Sequence, residues 1–553
     1  MDSKTAASAQ ETKHNHNEEL SPYLSMSTDQ MSPSSKCLLT RTPLPPKDGA
    51  MSRFVTNISK AISEDPGLPR PNPTVSAWQV PAHPVASHQS ASLPQRTDFA
   101  VIGSGITGCS VTKTLLEHRG DVVQGAHVTL LEARTLVSGA TGRNGGHLVT
   151  ASGHTFGPLA RQHGVEAAKQ ITRFSILNIE HVMKMVRGMD PALQEECQIR
   201  DVLKVMSVAD DETWAAARQS VLDFQRAVPE YSSYHRIVEK EHVAERWNIK
   251  DVSGAVEHEA GAIWPYRLLT GIYERLLKQY PDRLSIEANT PVTRVQFSPS
   301  EEDPLYPYTI TTPRGTIRAK KVIHCTNGHA SHLLPKLAGR IYPFRGTMTV
   351  QKPGPELSNM GASRSWSLAH RSTLDADTGL YDTGLYYLQQ NAQTGRIWIG
   401  NETAHMADIL TADDTVVADV TRRALETVLP RMFLEGWGEE KTSEIEAIWS
   451  GIQGHTADGL PVVGQVPASL TGGGDARDDG QWIAAGFNGY GMDKCWLTGK
   501  ALVYMMLGED VSDWFPGAFV MTEERLRTEL TADKTVLKFA RIALPNGAKT
   551  TRL

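Results

Sequence analysis

Long apolar runs are missing from this 553-residue chain. The longest near its C-terminal end, residues 501–507, falls far short of the roughly 20 residues that a membrane helix needs. Cysteine is scarce: Cys37, Cys109, Cys197, Cys325 and Cys495 are the five present, with no CxxC pair. Their spacing excludes a disulfide framework and a cysteine-based metal site, and suits reduced thiols. A net positive charge is lacking too. With 56 Lys+Arg against 62 Asp+Glu the formal charge is -6, so no basic stripe offers itself to nucleic acid. The first residues carry Asp2, Lys4, Glu11, Glu18 and Glu19 without an apolar core, which speaks against a secretory signal and a mitochondrial transit segment. What remains is the composition of a soluble, cytoplasmic protein of several domain-sized units, with oligomeric state undetermined. Thr551-Arg552-Leu553 differs from a peroxisomal tripeptide at its Thr, and keeps that location open beside a plain solvated tail.

Residues 1–50 are clusters of Ser, Thr, Asn, Gln and Pro without periodicity, and are expected to be disordered. A short helix is expected over residues 52–62. The prolines between Pro66 and Pro73 then force an extended path, and Trp78, Pro81 and Pro84 are expected to lay it as a strap across a folded body. Organisation sharpens at Asp98. An apolar strand, Phe99-Ala100-Val101-Ile102, ends in Gly103-Ser104-Gly105-Ile106-Thr107-Gly108, a helical pattern follows, and a second strand, residues 127–131, ends on Glu132. Strand, Gly-rich turn, helix, strand and acid make a dinucleotide-binding unit. Gly103 permits the tight turn, Gly105 lets backbone N–H groups approach a pyrophosphate, and Gly108 lets helix pack on strand. The helix N-terminus suits the anion, and Glu132 can accept from a ribose diol. Helices are predicted over 158–187, 265–280 and 413–433, and mostly strand from Arg345 to Glu402.

This unit alone does not separate NAD from FAD. Two further segments bear on the choice. Ser138 to His147, SGATGRNGGH, follows Glu132 directly. Far later, a strand over 481–485 enters Gly486-Phe487-Asn488-Gly489-Tyr490-Gly491-Met492, with a helical pattern behind it. An ordinary strand-to-helix turn is the plain alternative for that second segment. Taken in order, GSGITG, LLEA, SGATGRNGGH, CTNGHA, PFRG, SGIQGHTADGLPVVG and AAGFNGYGM resemble the FAD-dependent amine and amino-acid oxidases of the glycine oxidase, sarcosine oxidase and D-amino-acid oxidase superfamily. The γ-glutamylputrescine oxidase-like branch is the nearest in flavour. The resemblance covers roughly residues 96–508.

It implies an α/β fold in which a discontinuous Rossmann-like FAD-binding domain (96–165, 258–340 and 445–508) interleaves with an α+β substrate domain carrying a mixed sheet (166–257 and 341–444). The extension 1–50, the strap 51–95 and a C-terminal extension 509–553 stand outside it. Carried over by position, Gly103, Ser104, Gly105, Ile106, Thr107 and Gly108 would hold the FAD pyrophosphate, with Glu132 and Ala133 at the adenosine ribose. Thr141, Gly142, Arg143, Asn144 and Gly145 would line the flavin and diphosphate. Gly486, Asn488, Gly489, Tyr490, Gly491 and Met492 would close the pyrimidine end. Arg143 is also readable as a surface cation, and His147 as a structural histidine near the flavin.

Four positions depart from the family pattern. Gln453 stands where sarcosine oxidases attach the flavin through cysteine, and Arg143 where dimethylglycine-type dehydrogenases use histidine, so FAD is expected to be held without a covalent bond. The oxygen-activating lysine falls near Trp398. The lysine that grips a substrate carboxylate corresponds to Asp493, with Lys494 next to it, although an Asp at a helix start also caps. Arg143, His147, Trp398 and Asp493 are the candidates near the flavin, no catalytic base is assigned, and no metal is expected. The expected reaction is hydride transfer from an amine α-carbon to flavin N5, giving an imine and, with oxygen or another acceptor, reoxidised flavin. Carboxylate-free amines are expected ahead of amino acids. A tailoring dehydrogenase of a secondary metabolite and a flavin-binding scaffold without amine turnover are the other readings.

Overall fold

The computed structural model describes residues 49–121, 123–471 and 477–544. The expected disorder of 1–50, apart from Gly49 and the backbone of Ala50, and the tripeptide at 551–553 therefore lie outside the described residues. Two large sheets dominate what is described. The first has eight strands, and its main path runs Val462–Gln465, Gln481–Ala485, Gly315–His324, Arg96–Ile102, Val128–Leu131 and Leu284–Glu287. Arg96–Ile102 sits near the middle, parallel to Gly315–His324 on one side and to Val128–Leu131 on the other. Such a strand is covered on both faces, which is why Phe99-Ala100-Val101-Ile102 reads as unbroken apolar sequence.

The second sheet has nine strands, in the order Ile445–Thr456, Ile341–Gln351, Ile397–Asn401, Leu385–Gln390, Arg364–Ala369, Arg200–Val208, Gly254–Ala262 and His147–Leu148, with His235–Glu239 paired to Gly254–Ala262. All its pairings are antiparallel except Arg364–Ala369 with Arg200–Val208. Ile445–Thr456, His147–Leu148 and most of Gly254–Ala262 thus share a sheet with the segments expected to form the substrate domain. The expected boundaries at 445, 165 and 258 cut across that sheet. Ile445–Thr456 pairs along its length with Ile341–Gln351.

Several elements differ locally from the sequence reading. The helical stretch around 158–187 is two helices, Ser152–His163 and Val165–Arg187, broken at Gly164, whose φ of 86° is left-handed. The helix expected from 413 begins only at Asp419, because Asp413 and Asp414 serve a turn and an ion pair instead. The strap runs across the surface, with Val75 and Val80 exposed, but is anchored inward at single residues. Trp78 is 3% exposed, its indole packed between Trp264 and Trp398 with centroids 5.2 and 4.9 Å away. Ala50–Ser63 forms a helix whose Phe54, Ile58 and Ile62 pack in one cluster with Tyr342, Phe344, Tyr381 and Phe539. Phe539 belongs to the helix Ala532–Ala543, so segments near the two ends of the chain meet beside the second sheet. Among the described residues no helix is long and apolar enough to cross a membrane.

Candidate active site

One cavity of about 580 Å³ runs between the two sheets, from the turn after Arg96–Ile102 to the turn after Gln481–Ala485. Its first end is made of main chain. Gly103 has φ 104°, and a Cβ there would stand 2.6 Å from the Cys325 carbonyl oxygen. At Gly108 a Cβ would stand 1.9 Å from the Gly103 carbonyl oxygen, so the helix Ile106–Glu117 starts hard against its own turn. Glu132 faces this turn. Its Oε2 accepts from the Ser104 N–H at 3.0 Å and the Ser104 hydroxyl at 2.6 Å, while Oε1 accepts from the Arg134 N–H at 3.0 Å. A carboxylate has about four lone-pair sites, which leaves room for a further donor. Thr141 holds the helix start through its Oγ1, which accepts from the Ile106 N–H at 3.0 Å.

The SGATGRNGGH segment forms the next stretch of wall and is clamped from outside by the strap. The Ser76 hydroxyl and Gln79 Nε2 donate to the Gly142 carbonyl at 2.7 and 3.0 Å, and the Trp78 indole donates to the Asn144 carbonyl at 2.6 Å. Arg143 is buried and staples three segments. Its Nε donates to Ser138 O at 2.7 Å, and Nη1 to Thr74 O and Ser450 O, both at 2.8 Å. Among the described residues Nη2 has no partner. Burial lowers its pKa to about 10. His147 lines the wall with Nε2 2.9 Å from the Ser365 hydroxyl, and burial holds it well below the usual histidine range, hence neutral.

At the far end, Gly486 and Gly489 adopt φ of 75° and 78°, and Asn488 ties the turn together. Its Oδ1 accepts from the Thr456 N–H at 2.9 Å and its Nδ2 donates to Gly486 O at 2.6 Å. Asn488, Gly489, Tyr490, Gly491 and Met492 line the cavity; Gly108, Gly142 and Gly486 support it from behind. Asp493 is buried on the cavity wall, accepts from the Ser175 hydroxyl, and pairs with Lys494 Nζ at 2.7 Å. The expected helix cap is not made. The helix Cys495–Met506 starts with Lys494 at its cap position and no side-chain cap bond, because the Asp493 carboxylate is turned to Ser175 and Lys494. Lys494 is thereby paired, and Arg345, a further cation that could meet a substrate carboxylate, pairs with Asp408 at 3.2 Å. Trp398 does not line the cavity. Trp78 packs on it, with ring centroids 4.9 Å apart.

The second sheet roofs the cavity with side chains that the sequence reading missed. Glu402, just past the strand Ile397–Asn401, is 8% exposed. Its Oε1 accepts from the Tyr387 hydroxyl at 3.1 Å and Gln453 Nε2 at 3.0 Å, and Thr383 Oγ1 stands 3.5 Å from Oε2. Burial pushes its pKa up to about 7 despite these three donors. Gln453 is fully engaged, since its Oε1 also meets His455 Nε2 at 2.8 Å. Lys204 lines the roof from Arg200–Val208 at 4% exposure, its Nζ without a hydrogen-bond partner, and burial holds it well below the usual lysine range. Lys538 and Phe539 complete the wall from the helix Ala532–Ala543. A lone Lys inside the apolar Val202-Leu203-Lys204-Val205-Met206 was the available signal for Lys204. Glu402 carried none, since an acid after a strand is ordinarily a solvated turn.

The residues present fit a dinucleotide: a cradle that no Cβ could enter, an acid beside it, and a long cavity ending at a second Gly turn. Over residues 98–505 the chain matches the family described as FAD dependent oxidoreductase. It is 22% identical over 446 residues to probable oxidoreductase OrdL of Rhizobium meliloti, covering 78% of this chain and 90% of that one. To gamma-glutamylputrescine oxidoreductase of Escherichia coli it is 21% identical over 448 residues, 79% and 89% of the two chains. Among solved structures, glycine oxidase from Geobacillus kaustophilus superposes with a TM-score of 0.58 at 18% identity, over 78% of this chain and 99% of that one. L-proline dehydrogenase from P. horikoshii gives 0.54 at 20% identity, over 77% and 98%. These superpositions give the fold. Lys538 and Phe539 lie outside the matched residues.

Proposed function

The chain belongs to the FAD dependent oxidoreductase family, and on that footing we propose that it oxidises the carbon next to an amine nitrogen. Bound FAD would take the hydride at N5, leaving an imine on the substrate, and would return the electron pair to oxygen as hydrogen peroxide. The observation that carries this reading is the single cavity joining two Gly turns from opposite ends of the sequence beneath a roof of tyrosine and carboxylate.

The chain's own residues divide the work. Gly103, Ser104, Gly105, Ile106, Thr107 and Gly108 would hold the pyrophosphate by backbone approach and a helix N-terminus. Glu132 and Ala133 would meet the adenosine ribose. Thr141, Asn144 and Gly145 would line the flavin, with Arg143 offering Nη2. Backbone N–H groups of Gly489, Gly491 and Met492 would stabilise negative charge at the pyrimidine end, with Asn488 fixing the turn. Tyr387 and the roof exclude water from the space above. Gln453 supports a non-covalent cofactor, because a side-chain amide, here hydrogen-bonded to Glu402 and His455, has no nucleophilic thiolate or imidazole to form a flavin bond. The first sheet serves as the cofactor-holding body and the second as the substrate roof.

Acid precipitation of the purified protein should release all flavin into the supernatant. Anaerobic mixing with a panel of primary and secondary amines should bleach it. Flavin left on the pellet would overturn the non-covalent assignment, and a flavin that no amine bleaches would overturn amine oxidation.

A further inference from the structure

We propose that Glu402, which shares the cavity wall with Tyr381, Tyr387 and Tyr490, is the receptor for a positively charged nitrogen on a substrate without a carboxylate. The inference rests on the amine-oxidation reading and narrows its substrate class.

Glu402 differs from most buried acids of this protein. Glu257 pairs with Arg246 and Arg236, Glu287 with Arg314, Asp414 with Arg134, Asp458 with Arg525 and Asp493 with Lys494. Asp478, held by the Tyr308 hydroxyl and Gln481, stands away from the cavity. Glu402 is 8% exposed against 0–3% for the paired acids, and among the described residues no Arg, Lys or His pairs with it. Its bonds are neutral: a phenol and an amide on Oε1, and a distant hydroxyl on Oε2. A buried carboxylate without a cation is costly and is relieved either by a proton or by a positive ligand. Oε2 is the oxygen with acceptor capacity left, and Glu402 stands on the wall of the cavity.

The surroundings suit a cation. Tyr381, Thr383, Tyr387 and Tyr490 line the same space. Burial first, and then the charge of Glu402, raise the phenol pKa values of Tyr381, Tyr387 and Tyr490, which sets all three within electrostatic reach of the carboxylate. Tyrosine faces attract an ammonium group, and more so where water is excluded. Two amines on the cavity wall could instead receive an anion, Lys204 and Lys538. Burial lowers the pKa of both, which disfavours the charged form that would anchor a carboxylate.

The test uses flavin-loaded protein and two probes that cannot be oxidised, tetramethylammonium and acetate, each titrated at constant ionic strength while the flavin absorbance is followed. Tetramethylammonium should give a saturable change and acetate none. Glu402→Gln should weaken the cation about tenfold or more while keeping its flavin. In the unaltered protein, affinity for this non-titrating cation should rise about tenfold per pH unit up to about 7 and then level off. The three phenols titrate far above that range, His455 is pushed well below it, and the contribution of Lys538 is separated by Lys538→Met, which should leave the rise in place. A flat pH profile, or Glu402→Gln binding the cation as tightly as the parent, would overturn the proposal. Saturation by acetate alone would overturn it in favour of Lys204 or Lys538. Cation binding without bleaching by any amine would strike the amine-oxidation reading and leave the cation receptor standing.

Discussion

The first end of the cavity and its roof are built on opposite plans. Around Gly103 the wall is backbone, packed against the Cys325 carbonyl and closed to an added Cβ at Gly103 and Gly108. Around Glu402 the wall is side chain, gathered from Thr383, Tyr387, Gln453 and Tyr490, which reach one place only after separate strands have paired. The backbone end leaves no room for a side chain at Gly103 or Gly108 and is nearly the same task in every dinucleotide protein. The side-chain roof carries unpaired charge, and there the chemistry of one particular substrate can be written.

The sharpest break of this contrast would be Gly108→Val. Its Cβ meets a carbonyl that cannot retreat, so a loss above about 5 kcal/mol is expected, read as absent folded flavoprotein. Gly105→Val and Gly491→Val should behave differently, because a Cβ there meets only Thr141 Oγ1 at 3.2 Å and Cys495 Sγ at 3.1 Å. They should give folded protein without flavin, visible by circular dichroism and absorbance. Flavin retained in Gly108→Val would end the distinction between the two regions.

Trp78→Ala comes next. It removes an indole wedged between Trp264 and Trp398 and unclamps Asn144, so about 3–5 kcal/mol should be lost in denaturant unfolding, with flavin lost sooner than in the parent. Glu402→Gln should act in the other direction. The folded pKa of Glu402 is raised from 4.5 to about 7, so its ionised form destabilises the fold. The parent therefore loses stability as pH rises from about 4.5 to about 7, and the Gln variant does not. The gap between their unfolding free energies should open across that window to roughly 2–3 kcal/mol and close below it. Tyr387→Phe, the mildest change, removes one donor to Glu402. It should cost about 1 kcal/mol and shift the Glu402 titration further upward.

This contrast also marks how far the sequence could be read. The turn at Gly103, Glu132 and the segment at Thr141–Gly145 are short-range patterns, and the cavity runs along all of them. Arg143 looked like a cation beside a cofactor, but besides Ser138 its partners Thr74 and Ser450 lie 69 and 307 positions away and cannot be inferred from its neighbours. Trp398 was placed by alignment to a family position, and the indole that packs on it comes from a segment beyond the resemblance. Glu402 followed an apolar strand as any solvated turn acid does. Only the pairing of Ile397–Asn401 with its neighbours, and the helix from the far end of the chain, enclose it.

The helix Ala532–Ala543 has a further effect during synthesis. A ribosome will have delivered both Gly turns, the roof and the strap before Lys538 and Phe539, so this stretch of the cavity wall is made after all the rest. The wall then closes when the last helix packs against Phe54, Ile58 and Ile62, among the first described residues to have been made.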